Sequence, residues 1–248
     1  TRDPDTGWVN LGVYRSMLLD DSTVSLLVAQ GKDADVMLKQ YHERGEPCPV
    51  ALVAGPDPHT WVASTYTARR QEGEYGLAGW IRGEPTPVIK GPVTGLPIPA
   101  AAEVVLEGFI PPTDERSCEE GPFGEWVGYA TPRTTGQPVI EVEAVLHRDD
   151  PILLGQPPLK PPAPYSVGIP IRTAGGVWTQ LENAGVPGVK GVWSHVFERP
   201  MFFVIAIEQE YPGHAKQVAT AAMSVPNGAY GGRYVVVVDH DDVDLTSL

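Results

Sequence analysis

The strongest constraint on the fold is the segment 120–125, whose sequence is EGPFGE. Glycine permits backbone angles that are closed to other residues and proline fixes φ, so this composition predicts a stiff turn rather than a helix or a regular strand. Such a turn would present the carboxylates of Glu120 and Glu125 in a defined geometry. Two carboxyl groups that are held close together ionise at different pH values, which proton-transfer chemistry exploits. The alternative is a surface loop that is merely rich in turn residues.

Further motifs occur in a fixed order along nearly the whole chain. They are TRDPDTGWVNLGVYR (1–15), GEPCPVA (45–51), EYGLAG (74–79), AEVVLEG (102–108), EGPFGEWVGY (120–129), GVPGVKGVW (185–193) and YPGHA (211–215). Together they make the sequence similar to the UbiD family of decarboxylases, which use prenylated FMN. The resemblance implies a carboxy-lyase that carries out reversible, non-oxidative decarboxylation of an aromatic, heteroaromatic or α,β-unsaturated carboxylic acid.

The chemistry explains why such an enzyme needs a cofactor. Loss of carbon dioxide from an unsaturated acid leaves negative charge on carbon, so the enzyme must supply an electron sink and then a proton. Side chains alone offer no such sink, and the protein's part is to bind the cofactor, place the substrate and deliver the proton. A flavin prenyltransferase is the implied supplier of prenylated FMN. The alternative is a non-catalytic flavin-binding or assembly subunit of a decarboxylase complex.

Three residues fall on the catalytic positions of the family. By the resemblance, Arg15, Glu120 and Glu125 match its Arg-Glu-Glu/Asp set, with Glu125 as the proton donor. A guanidinium group can hold carboxylates in a fixed geometry and keep one of them ionised, while the other carries a proton. The alternative for Arg15 is a surface residue at the end of a strand.

The resemblance also implies a divalent cation, Mn²⁺ or Mg²⁺, that helps to hold the cofactor phosphate. Its ligands fall on Asn10, Asp33 and Glu74. Asp33 departs from the family, which has histidine at that position. An aspartate oxygen can bind Mn²⁺ or Mg²⁺, and the alternative is that Asp33 caps a helix beginning at Ala34.

A potassium ion near the same phosphate is implied as well, held by Ser64 with Trp8, Ala63 and Tyr66. Ser64 could equally be an ordinary helix residue. The remaining cofactor contacts implied by the resemblance are Gly12, Val13, Tyr14, Arg15, Lys32 and Arg233. Arg233 stands where many relatives have lysine, and it could add a bidentate contact to a phosphate.

The predicted fold class is α+β. The resemblance implies a split β-barrel of the flavin-reductase type for 1–155, with its N-terminal part missing, and the start of a C-terminal α/β oligomerisation domain for 166–248. A proline-rich linker at 156–165 would join them. Periodicity alone indicates only mixed α and β structure, and the chain is expected to be a fragment of a longer protein.

Residue patterns place the elements approximately. A hairpin is predicted from 8–15 and 24–28, with a turn at 20–22. Predicted helices cover 34–44, 59–67, 75–82, 176–184 and 214–224, and the clearest strands cover 50–54, 104–106, 139–146, 189–193, 202–207 and 233–238.

Composition restricts the classes of partner that the protein is expected to bind. The 248 residues carry a formal net charge of −13, which argues against nucleic acid and anionic membrane as partners. No apolar run approaches the roughly 18 residues that a transmembrane helix needs, and the two cysteines lack CxxC spacing. A soluble cytoplasmic protein is therefore expected, and the resemblance implies a homo-oligomer, a dimer or a hexamer. The six histidines show no metal-binding spacing and are expected mostly at the surface.

Overall fold

The computed structural model describes residues 1–66, 73–125, 130–155, 168–195, 202–225, 228 and 232–245. The chain divides into two compact units. The first comprises Thr1–Phe123 and Pro132–Gly155, and the second comprises Gly124–Thr131 and Gln156–Leu248. Both units combine helices and strands, so the prediction of a mixed α and β fold is confirmed.

The first 155 residues contain three helices and ten short or medium strands among the described residues. The helices are α1 (Asp33–His42), α2 (Pro58–Ser64) and α3 (Glu74–Arg82). The strands are β1 (Thr23–Ser25), β2 (Cys48–Ala54), β3 (Val88–Lys90), β4 (Pro97–Pro99), β5 (Val104–Ile110), β6 (Cys118–Glu120), β7 (Phe123–Gly124), β8 (Ala130–Thr131), β9 (Thr134–Gln137) and β10 (Val139–His147).

A four-stranded antiparallel sheet in the order β1-β10-β5-β2 forms the centre of the first unit. Apolar side chains from these strands pack against α1 and exclude water from one face, since burial of apolar surface is the main favourable term in folding. The buried set is Val24, Leu26, Leu38, Cys48, Val50, Ile110 and Ile140. The described strands form open sheets, and no closed barrel occurs among them.

An irregularity in this sheet requires glycine at position 108. The pairing of β10 with β5 shifts register between Val142 and Ala144, as at a β-bulge. A Cβ atom on Gly108 would lie 1.9 Å from the Glu141 carbonyl oxygen. The bulge therefore brings the two backbones closer than any side chain would allow, which explains the glycine of the AEVVLEG motif.

The neighbouring Glu107 is fully buried and ties a loop to the sheet. Its carboxylate accepts hydrogen bonds from Thr94 N at 2.6 Å, Thr94 Oγ1 at 2.5 Å and Val93 N at 3.2 Å. A buried carboxylate needs such partners, because an unpaired one is strongly unfavourable. This glutamate therefore fixes the connection between β3 and β4.

The predicted N-terminal hairpin forms only in part. Antiparallel bridges join Arg15 to Leu27 and Leu18 to Val24, so the pairing direction was predicted correctly. A continuous strand over 8–15 is wrong, because within this range only Val9 and Arg15 form isolated bridges, and the chain turns just before it at residues 4–6. The Asp3 carboxylate accepts from two following backbone N–H groups, and Arg2 pairs with Val9.

The second unit contains an α/β layer. Its elements after the first 155 residues are α4 (Gly168–Asn183), β11 (Val189–His195), β12 (Phe202–Ile207), α5 (His214–Ser224) and β13 (Tyr234–Asp239). The central strand β12 runs antiparallel to β11 and parallel to β13. Its nearly uninterrupted apolar sequence fits a strand that is buried on both faces. The predictions of β12 and α5 are confirmed in their bounds, and the predicted proline-rich linker at 156–165 lies outside the described residues.

One histidine departs from the expected surface location. His214 is fully buried at the start of α5, where its Nε2 lies 3.0 Å from the Pro187 carbonyl oxygen and its Nδ1 accepts from Glu210 N. The YPGHA motif is therefore explained by packing in the second unit. None of the described helices is long and apolar enough to cross a membrane.

Candidate functional site

The predicted turn in the EGPFGE segment is present, but it is shorter than expected. Strand β6 ends at Glu120, and the Gly121–Pro122 peptide bond is cis. Gly121 has φ of 93°, in the left-handed region, and a Cβ atom there would lie 3.0 Å from the Pro132 carbonyl oxygen. Both features favour glycine. The prediction that the whole segment lies outside strands is wrong, since Phe123 and Gly124 form the short strand β7.

Arg15 and Glu120 are brought together by this turn although 105 residues separate them in the sequence. Arg15 Nε donates to Glu120 Oε1 at 2.5 Å, and Arg15 Nη2 donates to Glu120 Oε2 at 2.8 Å. The Glu120 side chain is only 5 % exposed and that of Arg15 is 20 % exposed. Two parallel charge-assisted hydrogen bonds of this kind are strong and directional. Arg15 is thus partly buried and held by Glu120, unlike a free surface residue at a strand end.

An aromatic ring also contacts the guanidinium group. Arg15 Cζ lies 4.1 Å from the centre of the Phe123 ring, within the range of a cation–π interaction. From the sequence, Phe123 was expected only to form part of the turn. The only sequence indication was an aromatic residue three positions after a candidate catalytic glutamate.

Glu125 is partly buried and follows the turn directly. Its segment, Gly124–Thr131, belongs to the second unit, whereas Arg15 and Glu120 belong to the first. The role of Glu125 as proton donor stays a prediction. The rest of its motif, residues 126–129, lies outside the described residues.

A second polar cluster surrounds the predicted metal ligands. Asn10 is 5 % exposed and donates from Nδ2 to the Tyr14 hydroxyl at 3.2 Å. Glu74 is 4 % exposed at the start of α3, and its Oε2 accepts from Leu11 N at 3.2 Å. Burial raises the pKa of the Glu74 carboxyl, the Leu11 N–H opposes that rise, and the nearby charge of Asp33 adds to it.

Asp33 does not cap the helix as the alternative prediction had it. Helix α1 begins at Asp33 itself, and the capping position is taken by Lys32, which makes no side-chain capping bond. The physical reason is that Asp33 already has helical backbone angles, whereas a capping residue does not. Its charge contributes to the raised pKa values of Tyr14 and Glu74, after the larger contribution of burial in each case.

The donor set of this cluster suits a hard cation. It offers an amide from Asn10 and carboxylates from Glu74 and Asp33, and such oxygen ligands are the ones that Mn²⁺ and Mg²⁺ prefer. Burial and the nearby charge of Asp33 both disfavour the ionised form of the Glu74 carboxyl, and a positive ion would stabilise that form. Across the described ranges no group of three or more His, Cys, Asp or Glu side chains could hold a metal, so a site here depends on the asparagine.

The packing of Tyr14 next to this cluster requires glycine at position 12. The Tyr14 ring folds back over it, and a Cβ atom on Gly12 would lie 2.5 Å from the Tyr14 hydroxyl oxygen. Glycine thus leaves room for the tyrosine to reach Asn10.

The residues of the predicted potassium site lie at the end of α2 and in the N-terminal segment. Ser64 Oγ donates to the Trp61 carbonyl at 2.8 Å, which is the contact expected of an ordinary helix residue, although its oxygen can still accept or ligate. The Ala63 carbonyl accepts from Tyr66 N at 3.1 Å. Among the described residues, Trp8 Nε1 is one of three buried polar side-chain atoms without a partner. As a donor it cannot bind a cation, so only the Trp8 carbonyl could do so.

The remaining predicted cofactor contacts are exposed. Val13 is 58 % exposed, Lys32 precedes α1 on the surface, and Arg233 precedes β13 in the second unit. Their contact with a cofactor stays a prediction.

Comparison with known proteins covers almost the whole chain. Residues 1–161 match the Rift-related domain of 3-octaprenyl-4-hydroxybenzoate carboxy-lyase, UbiD, and residues 169–248 match the C-terminal domain of the same family. A phenolic acid decarboxylase of Bacillus subtilis (strain 168) is 32 % identical over 254 residues, which are 99 % of this chain and 51 % of the relative. A phenolic acid decarboxylase of Streptomyces sp. (strain D7) is 33 % identical over 256 residues, 100 % of this chain and 52 % of the relative.

Solved structures agree with these matches. The UbiD-class enzyme HmfF from Pelotomaculum thermopropionicum, in an evolved dimeric form in complex with prFMN, is similar with a TM-score of 0.85 and 29 % identity, over 99 % of this chain and 55 % of that one. The vanillic acid decarboxylase of Sedimentibacter hydroxybenzoicus in open form has a TM-score of 0.81 and 27 % identity, over 96 % of this chain and 50 % of that one.

The chain thus spans about half the length of the curated relatives that it matches. Within that half, both family domains follow one another in the same order and leave only a few residues between them unmatched. The chain belongs to the UbiD family.

Proposed function

We propose that the protein is a carboxy-lyase that uses prenylated FMN for the reversible, non-oxidative decarboxylation of an aromatic, heteroaromatic or α,β-unsaturated carboxylic acid. The observation that carries this proposal is the buried bidentate pair of Arg15 and Glu120 at the EGPFGE turn. The two relatives named phenolic acid decarboxylase favour an aromatic acid as substrate. The HmfF complex with prFMN supports the cofactor.

In this proposal the cofactor, when bound, accepts the electron pair that the departing carbon dioxide leaves behind. The side chains of this chain handle charge and protons. Arg15 binds Glu120 through both oxygens, which fixes the carboxylate in one geometry. Glu125 delivers a proton to the substrate carbon as a general acid. Both oxygens of Glu120 are occupied by Arg15, so Glu120 is assigned a positioning role and Glu125 the transfer of the proton.

Asn10, Asp33 and Glu74 would hold a divalent cation, Mn²⁺ or Mg²⁺, that neutralises the cofactor phosphate. The burial of Asn10 and Glu74 and the electrostatic effect of Asp33 on Glu74 support this assignment. A potassium ion would be held by Ser64 Oγ with carbonyl oxygens of Trp8, Ala63 and Tyr66. Gly12, Val13, Tyr14, Lys32 and Arg233 complete the proposed cofactor contacts.

The domain roles are part of the same proposal. Residues 1–155 would form the split-barrel region that binds prenylated FMN, 156–165 a linker, and 166–248 the start of an oligomerisation domain. The evolved dimeric form of HmfF supports a homo-oligomer. A flavin prenyltransferase would supply the cofactor.

The test is direct. The full-length protein, produced together with a flavin prenyltransferase, is incubated with a panel of aromatic, heteroaromatic and acrylic acids while carbon dioxide release and bound cofactor are measured. We expect turnover of at least one aromatic acid and a bound prenylated flavin. A bound flavin with no turnover of any acid would favour the non-catalytic subunit, an alternative that the unusual Asp33 motivates.

The metal assignment makes a separate prediction. An Asp33→Ala variant should weaken Mn²⁺ binding by at least about tenfold, since loss of a ligand should cost no less than the 10–100-fold effect typical of outer contacts. Bound Mn²⁺ per protomer is measured by elemental analysis after dialysis against graded metal concentrations. Asp35→Ala is the matched control, because Asp35 lies on the same helix and accepts from Lys39 Nζ and Gly31 N instead. Equal losses in both variants would remove Asp33 from the ligand set.

A further inference from the structure

We propose that Phe123 is a positioning residue that holds the Arg15 guanidinium in the plane required for its bond to Glu120. The inference rests on the proposed function, because it assigns the ring a part in organising the proposed catalytic pair. It starts from three observations within the first unit: the ring contact at 4.1 Å, the bidentate bond, and the unusual turn between residues 120 and 123.

The ring supplies a restraint that the glutamate does not. Both hydrogen bonds from Arg15 to Glu120 lie along one edge of the planar guanidinium group, so they fix its position within the plane. They resist tilting of that plane far less, because small out-of-plane rotations change hydrogen-bond lengths little. A phenyl ring over the guanidinium opposes such tilting and adds an electrostatic attraction to the cation. The hydrogen bonds along the edge and the ring over the face together restrict the guanidinium group to one orientation.

The backbone turn explains how one short segment supplies both restraints. In a continuous strand, residues 120 and 123 would point to opposite faces, because side chains alternate and the two positions are an odd number of residues apart. Gly121, at φ of 93° and close beneath the Pro132 carbonyl, breaks that alternation. Glu120 and Phe123 can therefore both contact Arg15. The turn thus places Glu120 against the edge and Phe123 against the face of the same guanidinium group.

The test compares three substitutions in the full-length, cofactor-loaded protein. Phe123→Leu and Phe123→Met keep an apolar side chain but remove the aromatic face, whereas Phe123→Tyr keeps that face. We expect kcat to fall by about 3- to 30-fold in the Leu and Met variants, the range that corresponds to a partly desolvated cation–π contact. The fall should appear in kcat rather than in KM, and the Tyr variant should retain most of the parent kcat. Using Met as well as Leu keeps the comparison valid if one variant folds poorly.

A spectroscopic readout separates this inference from the proposed function. The Nε–H group of Arg15 gives an NMR signal whose shift is affected by the Phe123 ring and whose exchange with solvent reports how firmly it is held. In the Leu and Met variants we expect that shift to be lost and exchange to quicken, with the Tyr variant unchanged. This measurement needs no turnover, so it decides the positioning role even if no acid in the panel is decarboxylated.

Two results would overturn the role of Phe123. One is a parent-like kcat and Arg15 signal in both the Leu and Met variants. The other is a Tyr variant that loses as much as the Leu variant, which would mean that the site needs the exact shape of phenylalanine and not its aromatic face.

Discussion

A Glu125→Gln variant of the full-length protein should decarboxylate its substrate about 10²–10⁴-fold more slowly than the parent, which is the usual contribution of general acid catalysis. Glutamine keeps the size of the side chain and most of its hydrogen bonding but has no acidic proton to donate to the substrate carbon. The variant should therefore bind as much cofactor as the parent and stop before product forms. The initial rate of carbon dioxide release and the flavin content of the purified protein measure the two effects separately.

Exchange of solvent deuterium into the product tests Glu125 as the proton donor in the reverse reaction. If Glu125 carries the proton, the Gln variant should also fail to catalyse exchange at the carbon that lost the carboxylate, because the forward and reverse reactions share the donor. Glu119→Gln is the matched control, since Glu119 is a neighbouring, exposed glutamate that pairs with the exposed Arg133. Parent-like decarboxylation and exchange in Glu125→Gln, together with an inactive Glu120→Gln, would mean that the two glutamates have the opposite roles.

The sequence predicted elements with a strong local pattern better than it predicted the N-terminal segment, for a physical reason. Strand β12 is an apolar run, and helix α5 is an amphipathic repeat bounded by residues that end a helix. Their bounds were predicted correctly. The N-terminal segment has no such pattern. Its apolar residues suggested a strand over 8–15, but the hydrogen bonds that the Asp3 carboxylate accepts and the close packing of Tyr14 on Gly12 favour an irregular backbone in this segment.

Contacts between distant residues were the least predictable part of the site. That Arg15 and Glu120 belong together followed only from the family resemblance, because no periodicity links residues 105 positions apart. The contact of Phe123 with Arg15 was missed altogether, since it depends on how Gly121 redirects the chain. The capping role considered for Asp33 failed by one residue, which is the usual uncertainty of a helix boundary.

Two Arg–Glu pairs adjoin the same turn, and they can be compared because one is largely buried and the other is exposed. Arg15 and Glu120 are largely buried and joined by two short hydrogen bonds. Arg133 and Glu119 are both more than 60 % exposed, and their closest atoms are 3.7 Å apart. Exposed pairs contribute little because water screens them, whereas a buried bidentate pair fixes both partners. The same substitution should therefore have very different effects at the two arginines.

Arg15→Lys should lower kcat by about 10- to 100-fold, the loss that corresponds to one or two charge-assisted hydrogen bonds. Lysine keeps the positive charge but replaces the planar fork with a single point of attachment, so Glu120 loses one of its two bonds and Phe123 loses the flat cation that it covers. The free energy of unfolding, measured by denaturant titration, should fall by about 1–3 kcal/mol for the same reason. Arg133→Lys, the control, should change the rate by no more than about twofold. If both variants kept the parent rate, positive charge alone would suffice at position 15, and the fixed geometry of the buried pair would have no part in catalysis.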